Sequence, residues 1–336
     1  MKDLSLGGSD EPIQHGLPAY IFEHLELEDL TIATSYDFIS PDIERFKQLI
    51  DLSVIECPVG DSSMENICRV GSLESLFIEF TNITCIPTSI RNLKNLKSIC
   101  LWFSPLKYIA PEIGLLSQLE DLSFRSTPLE SLPSQLFELP ALKTAVLWLN
   151  HIQNLPEESA YSSPLETLWL QSNKLTSLPE SFGHLSCLRQ LKLDSNLFKQ
   201  IPACLQKLGA LEELGLSSNG IAEVPLEIFE LPCLQTLNLS SNQLTQVPVF
   251  HSQTLRALDL QRNPIPQLSA FTAPALEELF ADAPTFLNTP LNILLQWSAL
   301  QKVWLRGTRA ALTPGQLKTL EAFQAQRPEV KLELRT

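Results

Sequence analysis

Three consecutive segments, set side by side, constrain this chain more than anything else in it: LETLWLQSNKLTSLPESFGHLSC (165–187), LRQLKLDSNLFKQIPACLQKLGA (188–210) and LEELGLSSNGIAEVPLEIFELPC (211–233). Each is 23 residues long, and all share one frame, LxxLxLxxNxLxxLPxx(L/F)xxLxx. The frame extends upstream from Leu73, Leu96, Leu119 and Leu142, which gives seven consecutive units of identical length. Looser units open at Leu27 and Leu49, units of 21 residues open at Leu234 and Leu255, and degenerate ones open at Leu276 and Leu300. A fixed period of roughly 20–50 residues marks a chain whose units cannot bury their apolar faces alone and must stack on their neighbours.

The frame also dictates local structure. The LxL segment places two leucines on one face of a short strand, because side chains alternate along extended backbone. The residue at position nine can hydrogen-bond to backbone groups of neighbouring turns, which a buried bend requires. That column reads Asn150, Asn173, Asn196, Asn219, Asn242 and Asn263, but Thr81, Ser104 and Thr127 in earlier units, so the ladder is expected to weaken toward the N-terminus. The LPxxLxxL segment supplies a short helical or 3-10 turn, with proline where a helix can begin. The expected fold class is α/β: a solenoid of horseshoe form with a concave parallel β-sheet and short helical or 3-10 turns on its convex side.

On these residues the chain resembles the leucine-rich-repeat (LRR) proteins, over roughly residues 17–326. The LPxx variant is most similar to the intracellular type, which includes Ras-suppressor-like scaffolds, immune-receptor LRR arrays and LRR effectors of pathogenic bacteria. The resemblance implies a protein–protein interaction module without catalysis of its own and without a cofactor, taking a protein or peptide partner on the concave face. An alternative it implies is a substrate-recognition domain or effector that delivers a target to a separate enzyme such as a ubiquitin ligase.

The ends are expected to cap the array. Residues 1–26 read as a tail and half-repeat, 27–299 as the repeats, and 300–336 as a terminal repeat with a helical cap. Within the caps, DLSL near residue 4 is expected to supply a first strand. TPGQLKTLEAFQAQ (313–326) reads as an amphipathic helix with Leu317, Leu320 and Phe323 on one face, and VKLELRT as a short edge strand.

Composition narrows the partners. The net charge is −14 and no basic run occurs, so nucleic acid and anionic membrane surfaces are not expected partners. No stretch of about 18 apolar residues occurs, so no membrane insertion is expected. MKDLSLGGSDEPIQHG has no apolar core, so secretion through an N-terminal signal is not expected. Seven cysteines without a CxxC pair read as reduced thiols of a cytoplasmic protein, or of a host cytosol if the chain is a delivered effector. A monomer is expected. His184 and Cys187 lack a second ligand pair with zinc spacing, no phosphate-binding glycine motif occurs, and Cys57, Cys68 and Cys100 have no histidine in frame.

One segment, AVLWLNHIQNLP (145–156), poses the functional question: if Leu147 points into the core, Trp148 points away from it. In the frame, positions four and six face inward, positions three, five and seven face out from the sheet, and position eight lies at its margin. Positions five, seven and eight then bring Phe77, Phe80, Trp102, Phe103, Arg125, Val146, Trp148 and Trp169 onto one surface, with Leu149 at its margin, whereas from Lys192 to Asp259 the same positions are mostly Ser, Gly, Asn and Asp. An exposed aromatic patch with an arginine in it has the composition of an interface hot spot. The competing interpretation is that these rings pack only on one another and stiffen a region whose asparagine ladder is weak. Phe280 and Trp304, in degenerate units, are expected to pack in the cap, and Trp297 in the core.

Overall fold

The computed structural model describes residues 2–7, 14–34 and 36–335. The chain forms two compact units, Met1–Lys174 with Leu178–Leu185, and Leu175–Ser177 with Ser186–Thr336.

In the first unit every strand runs parallel to the next: Asp3–Leu6, Asp29–Ala33, Asp51–Ile55, Ser75–Glu79, Ser98–Trp102, Asp121–Arg125, Thr144–Val146 and Thr167–Trp169. The register is that of the repeat, with Phe77 beside Cys100, Cys100 beside Ser123, Ser123 beside Val146 and Val146 beside Trp169. The second unit continues the pattern in Gln190–Lys192, Glu213–Gly215, Thr236–Asn238, Ala257–Asp259, Glu278–Asp282, Lys302–Arg306 and Lys331–Arg335, again all parallel. From Leu73 to Leu234 each strand starts two residues after its leading leucine, and the frame leucines, such as Leu147, Leu168 and Leu170, are fully buried. The expected first strand at DLSL and the edge strand in the C-terminal tail are both present.

From Asp29–Ala33 to Ala257–Asp259 the strands lead into the same bend. Position eight adopts a left-handed backbone in unit after unit, from Thr34 (φ 57°) and Glu56 (φ 54°) to Ser241 (φ 56°) and Arg262 (φ 57°), and none of these residues is glycine. In most units the next residue, such as Asn173 or Asn242, is buried and bonds to the backbone around the bend. Asn173 Nδ2 donates to the carbonyls of Leu147 (2.9 Å) and Leu170 (3.0 Å), and its Oδ1 accepts from Ile152 N (3.0 Å). Asn242 repeats this with Leu216, Leu239 and Ile221. In the earlier units hydroxyls replace it: Thr81 Oγ1 and Ser104 Oγ lie 2.9 Å apart, and Ser104 Oγ meets the Trp102 carbonyl (3.1 Å) and accepts from the Thr81 amide (3.1 Å).

The return segments are short 3-10 turns, at Thr88–Asn92, Pro111–Leu115, Ser134–Glu138, Glu180–His184 and Ala203–Lys207, or one α-turn at Leu226–Phe229. Proline sits at the N-cap of most of them, at Pro87, Pro133, Pro179, Pro202 and Pro225, one residue ahead of the first helical position. The unit opened by Leu142 departs from the frame. Residues 156–164 form no helical turn; Tyr161 (φ 48°) instead buries its ring against Phe137 (4.7 Å) and Phe182 (5.6 Å) and donates its hydroxyl to the Pro156 carbonyl (2.9 Å). The second unit carries a stack of rings through its core, Phe229–Phe250 (3.8 Å), Phe250–Phe271 (4.5 Å) and Phe271–Trp297 (4.7 Å). Trp297 is fully buried, and its indole donates to the Phe271 carbonyl (3.2 Å). The helix Pro314–Gln326 begins in a capping box between Thr313 and Gln316 and buries Leu320 and Phe323, whose ring meets Phe286 edge-on at 5.3 Å.

A local clamp compensates for the missing asparagine between the second and third full repeats. Asp61, in the first turn of the helix Asp61–Ile67, accepts from Thr84 N (2.6 Å), Thr84 Oγ1 (2.6 Å) and Cys85 N (3.1 Å). Burial pushes its pKa up, but the hydrogen bonds from Thr84 and Cys85 outweigh it, and the carboxyl titrates below its ordinary value.

Two outcomes follow from these contacts. Asn173→Ala removes three hydrogen bonds and leaves the Ile152 amide without its acceptor, and is expected to cost about 1–3 kcal/mol in chemical denaturation. Asp61 has a lowered folded pKa, so its contribution is complete above the unfolded carboxylate value of about 4 and is lost as pH falls through the lower folded value. Asp61→Asn should therefore shift the acid limb of a stability-versus-pH curve and flatten it below about pH 4, whereas an unchanged acid limb would assign acid sensitivity elsewhere.

Candidate functional site

The alternation of each strand decides which side chains reach the outer face of the sheet. Position five and position seven of adjacent units lie side by side, and in the first unit these columns hold the aromatic residues. Glu79, Trp102 and Arg125 are register partners, and the column continues to Trp148, whose carbonyl accepts from Ser126 N (3.2 Å). Leu149 N in turn donates to the Gln171 carbonyl (3.0 Å).

The expected residues come together as follows. The Phe77 ring meets Trp102 edge-on, with centroids 4.9 Å apart and planes at 84°. Phe80 and Phe103 stack at 4.7 Å and 9°. The guanidinium carbon of Arg125 lies 3.5 Å from the Trp102 ring centroid and 5.7 Å from those of both Phe103 and Trp148. Arg125 therefore stacks on Trp102 rather than sharing itself equally between the two tryptophans. The Trp102 indole donates to Ser123 Oγ (2.8 Å), a contact between units that fixes the ring. Val146 and Trp169 are register neighbours on the same face. Among the described residues no ring contact joins Trp169 to Trp148, so Trp169 borders the aromatic cluster without being part of its ring stack.

Position eight contributes something periodicity does not show. Phe80 and Phe103 both have φ 51°, and Leu149 has φ 57°, in the left-handed region that bulky side chains seldom adopt. All three are exposed, at 49%, 42% and 44%. The corresponding positions in later units are Ser172, Ser195, Ser218 and Ser241. The recurring Ser-Asn dipeptide at positions eight and nine was the available sequence signal for this bend.

The face also holds unmet polar groups. Arg125 Nε, Trp169 Nε1 and Gln171 Oε1 are sealed from solvent without a hydrogen-bond partner. In the second unit the outer face is polar and internally bonded: Asp194 Oδ1 accepts from Ser217 N (2.9 Å) and Ser217 Oγ (2.7 Å), and Asn238 Oδ1 from Ser240 N (3.0 Å) and Ser240 Oγ (2.8 Å). Burial raises the Asp259 carboxyl to about 6, against the lowering effect of its bonds from Gln261 N and Ser240. Phe280 and Trp304 stack at 5.8 Å, with the Arg335 guanidinium 3.8 Å from the Trp304 ring.

The cysteines weighed as nucleophiles are held in the protonated form. Burial pushes the Cys68 thiol up to about 12 and also raises Cys57 and Cys100, so near neutral pH these are thiols rather than thiolates. Among the described residues no group of three or more His, Cys, Asp and Glu side chains could hold a metal ion. No helix among them is long and apolar enough to cross a membrane.

The family model described as leucine rich repeat matches residues 140–198 and 209–265. The chain carries leucine-rich repeats and has the leucine-rich-repeat (LRR) fold. No curated protein matches it. Among solved structures, an LRR protein of Leptospira interrogans is 24% identical with a TM-score of 0.67, over 95% of this chain and 92% of that one. The plant peptide hormone receptor RGFR1, solved in complex with RGF2, is 20% identical with a TM-score of 0.63, over 99% of this chain and 62% of the receptor chain. TLR13 in its complex with ssRNA13 is 22% identical with a TM-score of 0.74, and this LRR chain spans 50% of its length. At these identities the likeness establishes the fold.

The strained phenylalanines yield a stability test. Phe103→Asn gives up a ring stack worth about 0.5–1.5 kcal/mol but relieves a left-handed backbone cost of about 1–2 kcal/mol, so the net change is expected to lie within about 1 kcal/mol of zero. Leu101→Ala, in the core of the same strand, should cost about 2–5 kcal/mol. Thermal or urea melts of both variants compare them directly, and a Phe103→Asn loss equal to that of Leu101→Ala would make the ring structural.

Proposed function

We propose that this LRR protein is an interaction module that binds a protein partner on the outer face of its first unit, through Phe77, Phe80, Trp102, Phe103, Arg125 and Trp148, with Val146 and Trp169 at the border. The observation that carries this reading is the pair Phe80 and Phe103. They hold exposed rings on left-handed backbone, where Ser or Asn would fold at lower cost. Bulk retained at a conformational cost, beside a stacked arginine and two tryptophans, matches the residue types that dominate binding energy at interfaces. A polypeptide fits this face better than a nucleic acid does, because a chain of net charge −14 repels a polyanion and its aromatic face carries a single arginine. Free cysteines, three of them buried, support a reducing compartment as its place of action.

The reading is tested by affinity capture with the intact chain beside a Trp102→Ala/Trp148→Ala variant, read by mass spectrometry and followed by titration of each captured protein. Trp148→Ala alone should weaken binding of the true partner by about 2 kcal/mol, roughly thirtyfold, while leaving the melting transition nearly in place. A captured set that is the same for both forms would remove the binding role and leave the rings as stiffeners of the first unit.

A further inference from the structure

We propose that the segment received by this face presents a carboxylate, from a Glu or Asp side chain set between apolar residues, to the Arg125 guanidinium. The proposal rests on the binding role just described and specifies its chemistry. Basic side chains on the strands of this protein or at their entries are paired with an acid one repeat away: Lys97 with Glu74 (2.6 Å), Lys143 with Glu120 (2.7 Å), Arg256 with Glu277 (2.8 Å) and Lys192 with Glu213. The chain has 38 acidic residues for 24 Lys and Arg, so an acid is available to nearly any cation. Arg125 is the exception on this face. Among the described residues it makes no ion pair, and Glu79, in the same column, is held two strands away with Trp102 between them. Its Nε has no acceptor and is sealed from water, and its Nη nitrogens make no hydrogen bond within the described residues.

A guanidinium in this position is partly desolvated by Trp102 without a counter-charge. Its ring stacking fixes the plane of the fork in advance, so little rotamer freedom remains to be lost when two parallel N–H···O bonds form. A carboxylate is the group that matches the fork with one negative charge. A phosphodiester chain would bring many charges to a protein that is already strongly negative. The flanking apolar character follows from the surroundings, with the Phe80–Phe103 stack on one side of Arg125 and Trp148 with Leu149 on the other.

The test uses the full chain with 15N-labelled indoles and two acetylated, amidated pentapeptides, each with terminal leucines and inner phenylalanines around a central residue that is glutamate in one and glutamine in the other. The glutamate peptide should shift the indole signals of Trp102 and Trp148 and bind at least tenfold more tightly than the glutamine peptide, a ratio that should shrink as salt is raised. Arg125→Gln should abolish the ratio, and Arg125→Lys should retain only part of it, because lysine offers the charge without the fork. Equal binding of the two peptides with shifted indoles, or a preference that survives Arg125→Gln, would overturn the carboxylate assignment and leave the aromatic face as a binding surface. Indoles unmoved by either peptide at millimolar concentration would overturn the assignment too, and capture with the tryptophan variants would then decide the fate of the face itself.

Discussion

Each repeat turns its chain out of the sheet through backbone that the core buries, and every peptide group left in that bend needs a partner. In the later repeats one asparagine meets the need, with its amide donating to two carbonyls and its oxygen accepting from the amide of the neighbouring unit. Hydroxyls at Thr81 and Ser104 do less, because a hydroxyl has one proton to give where an amide has two. The early repeats gain their cohesion elsewhere, through the Asp61 clamp on Thr84 and Cys85 and the Trp102–Ser123 bond across the sheet face. The side chains on the first unit's surface are thus partly drawn into holding its repeats together.

That dual use bears on the choice between a stiffening role and a binding role for the rings. Trp102 has both characters: its indole is bonded to Ser123 and its face carries Arg125, so truncating it removes packing as well as surface. Phe80, Phe103 and Leu149 are different. They stand exposed on a backbone conformation that disfavours them, and the equivalent serines of later repeats make the same bend. The Phe80–Phe103 stack offsets part of that strain, so stiffening alone gives little net stability over the serine that makes the same bend in later repeats. Separating the two roles therefore depends more on position eight than on the tryptophans, whose removal affects both.

The repeat length and the inward leucines were legible because burial recurs with the sequence period, and the outward columns followed from the two-residue alternation of a strand. Less local features were not. The bend at position eight uses serine, phenylalanine, leucine, glutamate and arginine, none of them a residue that announces a left-handed backbone, so only the recurrence of Ser-Asn hinted at it. Tyr161 replaces a helical turn by packing between Phe137 and Phe182, residues more than 20 positions away on either side. The Asp61 clamp likewise joins residues 23 and 24 apart. At the site, the columns could be read off the sequence, but the partners within them could not: that Arg125 prefers Trp102 to Trp148, or that Trp169 stays outside the ring stack, depends on rotamers set by neighbours on other strands.

The LRR fold does not select a ligand, as solved structures of one architecture in complex with RGF2 and with ssRNA13 make plain. What selects it is the chemistry left open on the sheet, and here the two units differ. On the second unit's face, Asp194 bonds twice to Ser217, and a Cβ on Gly215 would stand 2.2 Å from Asp194 Oδ2, so even the absence of a side chain there serves an internal contact. Asn238 and Ser240 satisfy each other, and Asp259 holds Gln261 N. From Asp194 to Asp259 these donors and acceptors are largely matched, and exchanging them for a partner's gains little, since each new bond replaces an existing one, although Trp304 Nε1 farther along that unit is also unmatched. The first unit's face instead leaves Arg125 Nε, Trp169 Nε1 and Gln171 Oε1 unmatched beside exposed rings. Under the proposed binding role, association there would bury apolar surface and could pair a cation that has no counter-ion among the described residues, so both major terms of the binding free energy would favour the same surface.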